Sequence, residues 1–343
     1  MKTFIIAEAG VNHNGDEAKA IALVEAAARS GADAVKFQTF SADKLTCKGA
    51  AKADYQRQAT GDGDQHSMLK SLEISERLHQ RLFSHCEKCG LEFMSTAFDE
   101  DALDFLVKLG IKRIKVPSGE ITNLPFLRHM ASKNLPLIVS TGMAELSEVE
   151  QAIDVIRDER AARRFGEPLA EVVTILHCTS NYPAENKDVN LRAMSTMARA
   201  TGLPIGYSDH TIGFAASSGA VALGAIVIEK HFTLDRSLPG PDHKASLEPD
   251  QLAEFVRQIR DVEEAMGSDI KAPTPSELPV RDLVRRSVTA IRALDAGVRI
   301  ARGDLTLMRP GTGIAPVDIE KVVGRKSARA IAAGETLIWS DLA

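Results

Sequence analysis

Short apolar runs alternate with longer amphipathic stretches along most of the chain. The runs Phe4–Ala9, Ala34–Phe37, Leu91–Ser95, Arg113–Val116, Leu137–Ser140, Val172–His177, Pro204–Tyr207 and Ile226–Lys230 are short and β-branched enough to read as buried strands. Between them, helical spacing of apolar positions predicts helices over Asp16–Ser30, Ser75–Cys89, Asp99–Leu109, Leu124–Lys133, Leu146–Asp158, Leu191–Ala200, Gly213–Leu223 and Pro249–Met266. Strands that alternate with helices at this spacing are parallel and joined by helical crossovers. Eight such units in roughly 250 residues match an α/β fold of the (β/α)8 barrel type. A doubly wound open sheet is the alternative, weakened because no Gly-x-Gly-x-x-Gly follows the first strand.

Two stretches interrupt the alternation. Thr39 to Ile74 is long, polar and rich in Gly, Asp and Gln, and a connection of that length reads as a functional lid or a disordered segment. After Met266 the pattern stops, and the prolines at 273, 275 and 279 predict an extended linker. Beyond it, Arg286–Ile291, Leu305–Arg309, Val323–Ala330 and Thr336–Ile338 read as short strands between glycine turns, with Ala296-Gly297 and Ala333-Gly334-Glu335 as two similar turn-into-strand units. The division expected is therefore a barrel over 1–267, a linker over 268–285 and a small mostly-β module over 286–343. So small a module has a marginal core and is expected to dock on the barrel or on another subunit.

Composition adds little to this picture but excludes some classes. The 343 residues are 44% hydrophobic and 26% charged, with a net charge of −5, which argues against nucleic acid or an anionic membrane as the main partner. The longest apolar stretch, about Gly213 to Ile228, falls short of the ~20 residues of a membrane helix, and Phe4-Ile5-Ile6-Ala7 is too short for a secretory leader. Cys86-x-x-Cys89 has redox or zinc spacing but no second pair, and it lies in a helix pattern. With Cys47 and Cys178 it reads as ordinary thiols of a reducing cytoplasm.

Barrel enzymes place their chemistry where strands end, and every strand here runs into reactive polar residues. Lys36 and Lys115, with hydroxyls at Thr96, Ser118, Ser140 and Ser208, suit a phosphate next to a carboxylate. His210 and His231 close adjacent strands, so two imidazoles could share a divalent metal with open positions for substrate oxygens. Hard oxygen partners favour manganese or magnesium, with zinc also compatible. Glu120 and Asp242 are acid/base or sugar-hydroxyl candidates, and His13 and His177 read as structural or supporting.

These residues stand in motifs that resemble the bacterial sialic acid synthase family. The likeness runs in order through Ile6-Ala7-Glu8-Ala9-Gly10-Val11-Asn12-His13-Asn14-Gly15, Val35-Lys36-Phe37-Gln38-Thr39, Lys115-Val116-Pro117-Ser118-Gly119-Glu120, Ser140-Thr141-Gly142-Met143, Gly206-Tyr207-Ser208-Asp209-His210-Thr211, Ile228-Glu229-Lys230-His231-Phe232-Thr233 and Gly240-Pro241-Asp242-His243. Residues 286–343, with Met308-Arg309-Pro310-Gly311-Thr312-Gly313, resemble that family's antifreeze-like SAF domain. The resemblance implies condensation of phosphoenolpyruvate with N-acetylmannosamine or a related N-acylated hexose, giving a nine-carbon acid such as N-acetylneuraminate. The alternative acceptor is 2,4-diacetamido-2,4,6-trideoxymannose, which gives N,N′-diacetyllegionaminate.

The same resemblance implies residue roles. His210 and His231 would hold a divalent metal, typically Mn2+, with Mg2+ or Co2+ as options. Lys36, Thr96, Lys115, Ser118, Ser140, Ser180 and Ser208 would bind phosphoenolpyruvate. Glu120, Tyr182 and Asp242 would face the sugar or the reacting carbons, with Asn14 a further sugar contact. Arg309 would reach over the active site of a second subunit in a domain-swapped homodimer. Ala97 departs from the family's usual proline, and Asn14 from the glutamate of some members. The stretch 54–67 is closer to the N-acetylneuraminate and diacetyllegionaminate branch than to the pseudaminate branch. A barrel aldolase, a metal hydrolase and a non-catalytic sugar-binding protein are the other classes compatible with the residues.

Overall fold

The computed structural model describes residues 2–343, which form two compact units, one ending at Gly267 and the other running Ser268–Ala343. In the first unit eight parallel strands close into a barrel: β1 (Phe4–Gly10), β2 (Ala34–Thr39), β3 (Glu92–Ala97), β4 (Ile114–Val116), β5 (Leu137–Ser140), β6 (Val173–Cys178), β7 (Ile205–Asp209) and β8 (Val227–His231). Closure is by β1 on β8, with Phe4 opposite Val227 and Glu8 opposite His231. Alternation of side chains along each strand sends one set into the barrel and the other against the helices. Ile6, Ala34, Met94, Ile138, Leu176 and Val227 form one cluster, contributed by six different strands. At Gly206 an added Cβ would stand 2.4 Å from the carbonyl oxygen of Val227 and 2.5 Å from Leu176, so β7 passes there only without a side chain.

The helices are α1 (Glu17–Ser30), α2 (Ala42–Leu45), α3 (Asp54–Thr60), α4 (Gln65–Lys70), α5 (Glu76–Lys88), α6 (Glu100–Leu109), α7 (Leu124–Ala131), α8 (Leu146–Ala162), α9 (Leu169–Val172), α10 (Arg192–Thr201), α11 (Ala215–Ala222) and α12 (Pro249–Met266). Local chemistry fixes many of their starts. Asp16, Asp64, Ser75, Asp99 and Asn123 each accept a backbone N–H of the first turn. The main core lies between these helices and the outer faces of the strands, with Ile5, Leu23, Val35, Leu82, Leu106, Ile156 and Phe255 fully enclosed. Each such side chain contributes roughly 1.5–3 kcal/mol by burial.

The connection Thr39 to Ile74, expected as a lid or a disordered loop, is built of α2, α3 and α4. It is anchored because Met68 and Leu72 pack with Val11 and Phe40 into an apolar cluster of their own. Expectation also differs from structure in the second unit. The proline-bearing stretch does not stay extended: α13 (Glu277–Val284) begins before Pro279, which occupies an early helical position where its missing N–H costs nothing.

Of the four strands expected in this unit, only β9 (Ser287–Ala290) and β10 (Leu305–Met308) pair as a ladder, antiparallel. The segments 323–330 and 336–338 make isolated bridges instead, such as Arg299 with Lys326 and Thr289 with Thr336, and α14 (Ile319–Val322) precedes them. The two similar turns are real. Asp304 accepts from Ala301 N–H and Arg292 Nε, and Asp341 accepts from Ile338 N–H and Arg329 Nε, with 2.8 Å from arginine to carboxylate in both. Gly297 and Gly334 share a left-handed φ of 81° in the corresponding turns. The unit's core is Val288, Ala290, Leu294, Ile300, Leu305, Ile314, Val322, Ile331 and Leu337.

Candidate active site

The strand register assembles the site. Glu8 pairs with Lys36 across β1 and β2, Thr96 with Lys115 across β3 and β4, and Ser208 with Glu229 across β7 and β8. Because these residues share the inward face at the carboxyl end of the barrel, they line one cavity of about 530 Å³. Lys36, Thr96, Lys115, Ser118, Glu120, Ser140, Ser180, Tyr182, Ser208, His210, His231 and Asp242 all line it.

The floor is ionic and almost fully enclosed. Lys36 Nζ lies 2.7 Å from Glu8 Oε2 and 3.7 Å from Glu229 Oε2, and it donates to Thr96 Oγ1 at 3.0 Å. Lys115 Nζ donates to Ser140 Oγ at 2.7 Å and lies 3.6 Å from Glu229 Oε1. Ser208 Oγ donates to that same carboxylate oxygen at 3.2 Å. Burial pushes the Glu8 carboxyl up to about 7, against the attraction of Lys36. Glu229 is also desolvated, but the two lysines outweigh that and hold it below the usual carboxylate range. Burial pulls the Lys115 ammonium down, while for Lys36 the charges of Glu229 and Glu8 overcome burial and raise it. A floor with two lysines and two carboxylates is near neutral as it stands, and it gains net positive charge when Glu8 carries a proton.

Beside this floor the β5 turn passes very close. Gly142 N–H donates to Ser118 Oγ at 3.0 Å, and Ser118 Oγ contacts Cys178 Sγ at 3.1 Å. A Cβ on Gly142 would lie 2.2 Å from Ser180 Oγ, so glycine is what lets Ser118 and Ser180 converge.

On the other side stand the two histidines, ring centroids 5.4 Å apart. His210 donates through Nδ1 to the carbonyl of Thr179 at 2.7 Å, which leaves Nε2 as a free lone pair. His231 Nδ1 is buried without a hydrogen-bond partner, 4.0 Å from Asp242 Oδ2. Burial holds both imidazoles neutral, His210 down at about 4. Neutral rings, one oriented by a backbone carbonyl and the other carrying an orphaned nitrogen, fit a divalent cation. Among the described residues no group of three or more His, Cys, Asp or Glu side chains forms a metal cage, so such an ion would keep positions for other oxygen ligands. Tyr182 sits between the histidines and the β2–α5 connection, its ring centroid 4.1 Å from His210 and 5.2 Å from Tyr55.

Some expected residues are not brought together with these. Asn14 does not line this cavity. It adopts φ 52°, donates to the carbonyl of Pro239 at 2.8 Å and faces a neighbouring cavity of about 440 Å³ with Lys52, Asp64 and Ser67. Arg309 follows β10 in the second unit and is exposed there. Glu120 is at the cavity mouth, where Oε2 accepts from Asn123 Nδ2 at 2.7 Å. His13 and His177 are engaged elsewhere: His13 Nδ1 accepts from Gly15 N–H at 2.9 Å, and His177 Nε2 contacts the Val189 carbonyl at 2.5 Å. Sequence reasoning gave no role to Glu8 and Glu229, the carboxylates that hold both lysines. The available signal was their position toward the carboxyl ends of β1 and β8, Glu8 one strand from Lys36 and Glu229 across the barrel from Lys115.

Known proteins resemble the chain along nearly its whole length. The NeuB family model matches residues 23–271 and the SAF domain model matches residues 285–343. The chain is 54% identical to the N,N'-diacetyllegionaminic acid synthase of Legionella pneumophila, over 100% of this chain and 95% of that one. It is 47% identical to the protein of the same name from Campylobacter jejuni, over 94% of this chain and 95% of that one. Among solved structures, the N-acetylneuraminic acid (sialic acid) synthetase of Leptospira borgpetersenii, in complex with citrate, is similar with a TM-score of 0.71 and 32% identity, over 82% of this chain and 90% of that one.

Proposed function

The chain belongs to the NeuB family and carries a C-terminal SAF domain, and we propose that it joins phosphoenolpyruvate to 2,4-diacetamido-2,4,6-trideoxymannose, forming N,N′-diacetyllegionaminate and phosphate. N-acetylmannosamine, the first acceptor expected from the sequence, becomes the second reading, because the 54% and 47% identical relatives carry the legionaminic name. The observation that carries the proposal is the meeting of Lys36, Lys115, His210 and His231 in one cavity. Two buried ammonium groups backed by Thr96 and Ser140 suit the phosphate and carboxylate of one small trianion.

In this reading the lysines exchange their carboxylate partners for phosphoenolpyruvate, with Ser118, Ser180 and Ser208 donating to its oxygens. A divalent cation, Mn2+ first among the options, would be held by His210 and His231 and would supply Lewis-acid polarisation of the acceptor's aldehyde oxygen. Holding both substrates in one enclosed cavity makes C3 of phosphoenolpyruvate the neighbour of C1 of the open-chain sugar, and the C–C bond forms between them. Asp242 and Tyr182 stand where they can handle the proton of the new hydroxyl. Water then adds at C2, its proton taken by Glu120, and phosphate departs with the bridging oxygen, leaving the C2 ketone.

The proposal extends to assembly and place. Arg309 would complete the cavity of a second copy in a homodimer, which the family likeness supports. Free thiols support a reducing cytoplasm, and no described helix is long and apolar enough to cross a membrane. The test is phosphate release with each sugar in turn. A kcat/KM for the diacetamido sugar well above that for N-acetylmannosamine is expected, and the reverse order would establish the second reading.

A further inference from the structure

The cavity at the barrel mouth is chemically two-sided. Besides the ionic floor, the same cavity is lined by Val11, Leu45, Met68, Leu69 and Leu72 of the β1 end and the β2–α5 connection, with Phe98 beside them. Val11, Met68 and Leu72 are no more than 8% exposed, so this wall is fixed by its own packing with Phe40. The amide oxygens of the two glutamines of this segment that line the cavity are engaged. Gln56 Oε1 accepts from Ala53 N–H at 3.0 Å, and Gln65 Oε1 accepts from the Thr46 hydroxyl at 3.2 Å.

The wall has a defined relation to the chemistry. Val11 follows β1 and Asp242 follows β8, the strand neighbours that carry Glu8 and His231. Tyr182 contacts both His210 and Tyr55 and so bridges the histidines to the wall's own segment. A sugar whose aldehyde end is at the histidines and whose partner anion is on Lys36 and Lys115 would have these apolar side chains within the same cavity for its far end.

The geometry points to Val11, Met68 and Leu72 as the residues that select a methyl group over a hydroxymethyl group at the far end of the acceptor, and so to a 6-deoxy sugar as the substrate class. This deepens the acceptor assignment above and rests on it. A methyl group there loses only water. A C6 hydroxyl would be desolvated against carbon and sulfur with no partner from the wall. Apolar sites discriminate in this manner by on the order of 10- to 100-fold, because a hydroxyl is disfavoured without being sterically excluded.

The test uses an acceptor pair that differs only at C6, N-acetylmannosamine and its 6-deoxy analogue, with the diacetamido-trideoxy sugar as the reference. The wild-type protein is expected to favour the 6-deoxy member of the pair by roughly tenfold or more in kcat/KM. Val11→Thr and Met68→Gln, which keep shape but add a polar group, are expected to shrink that ratio several-fold while the KM for phosphoenolpyruvate stays as it was. A wild-type ratio near one overturns the inference whatever the variants do, and so does a ratio that neither folded variant alters. In both cases turnover of the diacetamido sugar leaves the assigned reaction standing. Absence of turnover with all three sugars overturns the assigned reaction, and the inference with it.

Discussion

Asp209 and Lys230 form an ion pair with both side chains fully enclosed, 3.1 Å apart, on the outer face of β7 and β8 beneath α11. Asp209 also accepts from Ser217 Oγ at 2.6 Å and from the N–H and hydroxyl of Thr211 at 2.8 and 2.7 Å, while Lys230 Nζ donates to the Thr211 carbonyl at 2.5 Å. Each member is one residue before a cavity histidine, and the two are register partners. The pair thus pins the strand ends that carry His210 and His231. Lys230→Met keeps the length of the side chain but leaves a carboxylate in the interior with no cation and the Thr211 carbonyl without its donor. Such one-sided removal costs about 3–5 kcal/mol. At roughly 2–4 °C per kcal/mol for a unit of this size, the melting point should fall by about 6–20 °C.

The double variant Asp209→Asn, Lys230→Met removes the buried charge altogether and should regain part of the loss, since a buried pair adds little net stability over uncharged groups. Urea titration followed by circular dichroism measures both. A single variant within about 1 kcal/mol of the wild type would show that the interior there is solvated or relaxes freely, and would refute the reasoning.

Two further outcomes follow from the buried groups. Lys115→Met should raise the KM for phosphoenolpyruvate or lower kcat by at least tenfold, read by phosphate release, because Ser140 alone cannot replace a buried cation. His13 and His243, held at about 4 by burial against an ordinary 6.5, are neutral in the folded state where the unfolded chain takes up protons. Their contribution is therefore complete above pH 6.5 and is lost as pH falls from 6.5 toward 4. The urea midpoint should drop over that window, and His13→Asn, which can still accept from Gly15 N–H, should flatten part of the slope.

The eight-unit barrel was legible because each buried strand is a short apolar run bounded by a helix pattern. The strands extend slightly beyond those runs, as at Gln38, Cys178, Asp209 and His231, because the site requires polar residues where the ladder still continues. That is why the lysines, serines and histidines could be placed at one rim while their carboxylate partners could not. Glu8 meets Lys36 through register across neighbouring strands, and Glu229 meets both lysines across the barrel interior, which no local pattern encodes. The order of the β2–α5 connection was hidden for a similar reason. Its polarity left a disordered segment open beside a functional lid, whereas Met68 and Leu72 find apolar partners in Val11 and Phe98 from outside the segment. Asn14 was drawn toward the site by its motif, but its left-handed backbone and its bond to Pro239 turn it into the adjacent cavity.

The central claim is that this cavity forms a C–C bond from phosphoenolpyruvate and expels phosphate by breaking the C–O bond. Phosphoenolpyruvate bearing a heavy oxygen isotope at the bridging position, incubated with the diacetamido-trideoxy sugar and Mn2+, tests it in one mass-spectrometric measurement. The expected result is a nine-carbon keto acid without the label and inorganic phosphate that carries it. Label retained in the organic product, or phosphoenolpyruvate left unconsumed, would contradict the claim.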